Sequence, residues 1–156
     1  MKTAEFSIAY NQVHRPSKVA LAVTQKHDGS FNLITLEWFM RTSIRPPMFA
    51  ISIGHSRFSH MCLEANPYFN LVFPASEMKD LCMSAGSTTG ADLDKFEANK
   101  VEFIEGKLRG LPVLTQAKAV FECEVVTQVR SGDHTIYVGQ VKHSWLKEEG
   151  DVLVFT

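Results

Sequence analysis

Four short stretches hold the residue types that could do chemistry on a phosphorylated or redox-active small molecule. GHSRFSHM places Ser56, Arg57 and Ser59 where an apolar strand pattern gives way to a helical one. If Ser56 opens that helix, the free N–H groups of its first turn, the Arg57 guanidinium and the Ser59 hydroxyl converge on an anion. The planar guanidinium adds a bidentate fork suited to phosphate. An ordinary capped helix with a solvated arginine would read the same way. NLITLEWF carries Asn32, Ile34, Thr35 and Trp38 along one strand. Asn32 and Trp38 share a face there, and Thr35 takes the other unless a bulge intervenes. Backbone amides, an asparagine and an indole suit a flat heteroaromatic ligand; a core tryptophan beside a strand-forming threonine is the plainer alternative.

DLDKF puts Lys95 beside Phe96 at the end of a polar loop. The lysine suits a phosphate or a reduced, anionic ring, or is a surface lysine followed by a core anchor. SGDHTIYVG sets His134 after the turn formers Ser131, Gly132 and Asp133, ahead of a strand. Imidazole, with a reference pKa of about 6.5, donates a hydrogen bond or relays a proton near neutrality. A turn histidine is otherwise just a solvated polar residue.

The pattern along the chain predicts the elements that position these residues. Residues 17–26 and 31–40 read as a hairpin around the Asp28-Gly29 turn signal. The loop RTSIRPP and a nearly continuous apolar strand at 48–53 follow. A helix is predicted from Ser56 to Asn66, with Phe58, Met61, Cys62 and Ala65 on one stripe and Pro67 just past its end. After a strand at 69–73, Ser76 heads a second helix whose stripe is Met78, Leu81, Cys82 and Ala85. Residues 84–96 form a polar, glycine-bearing loop of the kind tolerated when solvated or when holding a ligand.

Strands are then predicted at 101–106, 118–129, 134–145 and 151–155, with Gly139 as a bulge or close-approach point. Alternation of Ala119, Phe121, Cys123 and Val125 with Glu122 and Glu124 predicts a half-buried antiparallel strand. Closure into a small β-barrel with inserted helices is the economical way to remove the edges of such a sheet.

Composition narrows the class. The 156 residues are 45% hydrophobic and 21% charged, with formal charge −1. They predict a single domain, residues 1–156, able to bury a core without disulfides or metals. That charge makes no case for nucleic acid or an anionic membrane as partner. No apolar run approaches the roughly 20 residues needed to span a bilayer. Lys2 has no continuous apolar stretch behind it, so no secretory signal is expected. Cys62, Cys82 and Cys123 are widely spaced and odd in number, which suits buried thiols in a reducing, cytoplasmic compartment. The six histidines form no metal-binding spacing, and no metal is expected.

Taken together, SKVALAVTQKHDGSFNLITLEWF, RPPMFAISI, SRFSHMCLEANPYFNLVFP, DKF and GDHTIYVGQV resemble the flavin reductase family, closest to its flavoredoxin-like branch. They run in the family's order over residues 18–141. The resemblance implies a mostly β, antiparallel, Greek-key-like FMN-binding split β-barrel with short inserted helices, and a homodimer with FMN at the subunit interface. It implies FMN contacts from Asn32, Ile34, Thr35, Trp38, Ser56, Arg57, Ser59, Lys95, Phe96 and His134, with phosphate held around Arg57 and Ser59. His134 is the implied catalytic residue.

The implied activity passes electrons from NAD(P)H through FMN to free flavin, ferric iron or a protein acceptor. No G-x-G-x-x-G follows a strand, so NAD(P)H would stack on the flavin in an open cleft. A flavoredoxin-like electron carrier, reduced by another protein, and a non-catalytic flavin- or ligand-binding barrel are the alternatives.

Overall fold

The computed structural model describes residues 1–156. Its centre is one antiparallel seven-stranded sheet, built from β2 (Ala20–Gln25), β3 (Phe31–Leu36), β4 (Phe39–Ser43), β5 (Met48–Gly54), β6 (Tyr68–Phe73), β9 (Ala119–Ser131) and β10 (His134–Leu146). The spatial order is β3-β2-β6-β9-β10-β5-β4. Its two edge strands, β3 and β4, are consecutive in the chain and joined by Glu37 and Trp38 alone. The sheet therefore curls until its ends nearly meet, and the seam stays open: a split barrel. Two-stranded pieces, β1 (Ser17–Lys18) with β11 (Val154–Phe155) and β7 (Phe103–Glu105) with β8 (Pro112–Leu114), flank it.

Burial on both faces explains why the strands read as near-continuous apolar runs. Along and just before β2, Val19, Leu21 and Val23 point to one cluster, and Ala20 and Ala22 to the other. The second cluster fills the barrel, with Ile51, Phe69, Leu71, Cys123 and Tyr137 among its members. The first lies outside the β3-β2-β6-β9 face, under α3 (Lys79–Ser87) and β8, which contribute Cys82, Ala85, Val113 and Leu114. Gly139 is the close-approach point the sequence predicts. A Cβ there would lie 2.7 Å from the Phe69 ring and 2.8 Å from the Cys123 Cβ, and the β9–β10 register shifts at Val138/Gly139.

Several sequence expectations are corrected. The returning strand predicted at 31–40 breaks at Glu37–Trp38, where the chain turns the barrel corner, and β4 takes up Arg41–Ser43 from the expected loop. Strand β9 is antiparallel as expected and Glu124 is partly exposed, but Glu122 does not face outward. Glu122 has no exposed surface, because Val120 and Glu122 face the outer cluster while Cys123 faces the inner one. Its carboxylate accepts from the Leu108 N–H and Trp145 Nε1–H, both at 2.7 Å, which makes its burial tolerable.

The helix predicted from Ser56 is α2 (Phe58–Ala65), with Arg57 at the N-cap and no side-chain cap; its buried residues are Ser59, Cys62 and Leu63, leaving Met61 about half exposed. Ser76 opens a 3-10 turn rather than the helix, its hydroxyl bound instead to the Asp151 carbonyl. Residues 84–87 of the expected loop belong to α3, and Lys95–Ala98 forms the short helix α4, capped by the Asp94 carboxylate. Strand β8 and the N-terminal helix α1 (Phe6–Asn11), which buries none of its residues, lie where no strand or helix is predicted.

Candidate functional site

The open seam gathers most of the residues singled out from the sequence. Strand β3 pairs with β2 on one side only. Its other edge looks into a cleft bounded by the turn at 54–57, the start of α2 and the end of α3. Two spaces share Ile34, Thr35 and Arg57 in their walls, so they form one continuous cleft. The inner one is small, about 120 Å³, and is lined mainly by polar groups, including Asn32, Ser56, Arg57, Ser59, Thr88 and Lys95. The outer one, about 250 Å³, runs past Trp38, Gly54 and His134.

The inner space collects positive charge and supplies no counter-charge. Lys95 is 3% exposed, and its Nζ donates to the Ala85 carbonyl at 2.7 Å, leaving two ammonium protons without protein partners. Burial, then the nearby Arg57 and Lys26, brings its pKa down to about 8. None of the three cations is in an ion pair.

Beside them Asn32, almost wholly buried, donates from Nδ2 to the Ser59 hydroxyl at 2.8 Å, while its Oδ1 has no partner at all. A buried carbonyl oxygen without a donor costs about 1–3 kcal/mol. The segment over it can lie so close only because residue 90 is glycine: a Cβ at Gly90 would overlap Asn32 Oδ1. A buried lysine, an exposed arginine at the rim, a hydroxyl and an orphan acceptor are groups that suit a phosphate attached to a hydroxylated chain.

The outer space is walled by aromatics. The His134 and Trp38 rings lie 4.8 Å apart, tilted by 42°, and Trp38 is 53% exposed at the mouth instead of in the core. His134 Nδ1 lies 2.6 Å from Asp133 Oδ1. The one acid on this stretch of β3–β4, Glu37, is neutralised by Arg15 at 2.7 Å, so it does not oppose an anionic ring.

Nine of the ten residues proposed from sequence line this cleft, some at the inner end and some at the outer. Phe96 does not. It joins the outer core cluster and meets Phe103 edge-on at 5.5 Å. The sequence singled out the 84–96 segment but not Gly86, Thr88, Thr89 and Gly90 within it; its glycines and hydroxyls were the available signal. The packing of that segment across β3 could not be read locally.

The fold is thus a split barrel whose seam runs from a cation-lined pocket to an aromatic-flanked mouth. Residues 13–156 match the family model described as flavin reductase like domain. The chain belongs to that flavin reductase family.

Among relatives, a protein of uncharacterised function from Archaeoglobus fulgidus is 32% identical over 112 residues, covering 72% of this chain and 63% of its own. A Streptomyces globisporus protein described as an NADH-dependent FAD reductase is 30% identical, covering 75% of this chain and 65% of its own. The chain spans about half to three-quarters of the length of the first curated relatives it matches. Among solved structures, an FMN-binding protein from Thermus thermophilus superposes with a TM-score of 0.83 at 28% identity, over 95% of this chain and 82% of that one. A flavoredoxin from Methanosarcina acetivorans shares the fold, with a TM-score of 0.81 at 24% identity over 95% of this chain and 75% of that one.

Proposed function

We propose that this protein binds FMN in the seam cleft and acts as an NAD(P)H-dependent flavin reductase, passing electrons to free flavin, ferric iron or a protein acceptor. The observation that carries this reading is the set of unpaired cations and the orphan Asn32 oxygen at the closed end of a cleft whose mouth is aromatic. Bound FMN would supply a ring that accepts a hydride and releases electrons one or two at a time. The chain's part is binding, orientation and proton handling. Arg57 and Lys95 hold the phosphate, with Ser56 and Ser59 hydroxyls beside them, and Asn32 Oδ1 accepts from a hydroxyl of the connecting chain. The free edge of β3 at Ile34 and Thr35 offers backbone groups to the ring's polar rim. Trp38 shields one end, and His134 holds or moves a proton at its cleft-side nitrogen.

The relative described as an NADH-dependent FAD reductase supports a nicotinamide donor, and the structural neighbour described as an FMN-binding protein supports the flavin. Exposed Trp38 and Met40 beside the half-buried Ile136 continue the mouth as an apolar face. That face supports a homodimer with the flavin at its interface. Three free, buried cysteines support a reducing, cytoplasmic setting.

Stopped-flow mixing of FMN-loaded protein with NADH and with NADPH tests the activity. Rapid bleaching at about 450 nm with at least one of them is the expected result. Loaded protein that neither nucleotide bleaches, but that a reduced electron carrier does, would make it an electron carrier instead.

A further inference from the structure

We propose that Asp133 is the positioning residue for His134: its carboxylate accepts a hydrogen bond from Nδ1–H and so keeps the proton on Nδ1, leaving Nε2 as the nitrogen offered to the cleft. The proposal rests on the reading of His134 as the imidazole beside the flavin and adds a residue that reading does not use.

The ring is held on three sides. Asp133 Oδ1 lies 2.6 Å from Nδ1, in the range of a charge-assisted hydrogen bond. The Trp38 indole covers it at 4.8 Å between centroids. The opposite edge faces Gly54: a Cβ built there would stand 3.5 Å from Nε2 and 3.6 Å from Cε1, with Arg57 Cγ also at 3.6 Å. Nε2 therefore lies on the Gly54–Arg57 wall of the cleft, and Nδ1 points away from it.

The backbone, not only the side chain, keeps Asp133 in place. Its carbonyl accepts from the His55 N–H at 2.9 Å, and Gly132 before it has φ +61°, the left-handed region that closes the β9–β10 turn. His55, the nearest other imidazole, is occupied elsewhere, its Nε2 2.9 Å from the Thr135 hydroxyl.

An ionised carboxylate only accepts, and the hydrogen bond to His134 holds the Asp133 carboxyl below its ordinary pKa. Asp133 is 94% exposed in its side chain, where an ion pair adds little to stability. Selecting one tautomer needs only a difference between two nearly equal forms. Neutral His134 then meets the cleft as an acceptor, which recognises an N–H or O–H of cofactor or reductant; protonated, the same atom donates. Without the carboxylate both tautomers are open to it, and Nε2 is no longer fixed as an acceptor.

Nitrogen-15 NMR of histidine-labelled, ligand-free protein at alkaline pH tests this directly. The His134 signals are assigned by their loss in His134→Gln. We expect Nδ1 protonated and Nε2 bare in the native protein and in Asp133→Asn, whose amide oxygen still accepts. In Asp133→Ala the proton should spread to Nε2. In NAD(P)H-driven turnover, Asp133→Ala should lower kcat about tenfold, the order expected for one charge-assisted hydrogen bond, and Asp133→Asn should recover most of it. A native His134 with its proton on Nε2, or an unchanged tautomer in Asp133→Ala, overturns the proposal. Native protein without nicotinamide-driven reduction would defeat the reductase reading, while the tautomer comparison would still decide the role of Asp133.

Discussion

Lys95 is the side chain whose surroundings say most about what it meets. Its amine is buried, receives no carboxylate, and has Arg57 and Lys26 for neighbours, so in the ligand-free protein it titrates at about 8 rather than near 10.5. A bound phosphate favours the charged amine and raises that value. Binding therefore takes up a proton wherever the free protein has lost one. FMN affinity should be flat between about pH 7 and 8, where the ligand's phosphate is already fully ionised, and fall as pH rises above that, and titration calorimetry in two buffers of different ionisation heat would register the proton. Lys95→Met should remove this pH dependence and weaken FMN about 10- to 100-fold, as expected for one lost charge-assisted contact. Gly90→Val is the matching steric test. Its Cβ must displace Asn32 Oδ1, so FMN uptake measured by flavin fluorescence should drop while the far-ultraviolet circular dichroism stays native. The sequence offered Arg57 and Lys95 as anion-binding candidates because guanidinium and ammonium groups near glycines and hydroxyls suggest an anion, and the fold brings both to one pocket. Phe96 beside Lys95 read equally as ring contact or core anchor, and it packs in the outer core against Phe103.

Among the elements, β10 links the core to the site. Its first residue is His134, and three and five positions on it supplies Tyr137, wholly buried, and Gly139, with no room for a side chain. Gly139→Val places two methyl groups against the Phe69 ring and Cys123, and should destabilise the protein by about 1–3 kcal/mol in urea unfolding. The urea midpoint should fall with the m-value unchanged. This strand was legible in the sequence almost to the residue, since β-branched and aromatic residues after a Ser-Gly-Asp turn leave few alternatives. The helix starts were less so. Ser56 and Ser76 look like caps, but the helices begin at Phe58 and Lys79, because the turn at 54–57 closes through Gly54 and Ser76 is claimed by Asp151. Glu122 misled for a related reason: alternating charge means an exposed face unless a distant indole and a loop amide come to meet it.

For the whole molecule, the split in the barrel is what makes a site. A fully closed sheet would pair the free edge of β3 and fill the space it overlooks. The existence of a barrel was legible in the run of short apolar strands; that it is split came only from the family resemblance, since the strand pattern does not say which two strands fail to pair. The thiols report on the intact core. Burial pushes Cys82 and Cys123 up to about 12 and raises Cys62 as well, so a disulfide reagent should modify all three quickly only after denaturation. The account as a whole depends on the inner pocket selecting a phosphate. Its most direct test is to titrate the purified protein with FMN and with riboflavin, following the visible spectrum of the bound ring. FMN should bind at least about tenfold more tightly, and Arg57→Ala should bring the two ligands close together. Equal affinity for both flavins in the native protein, or no uptake of either, would contradict it.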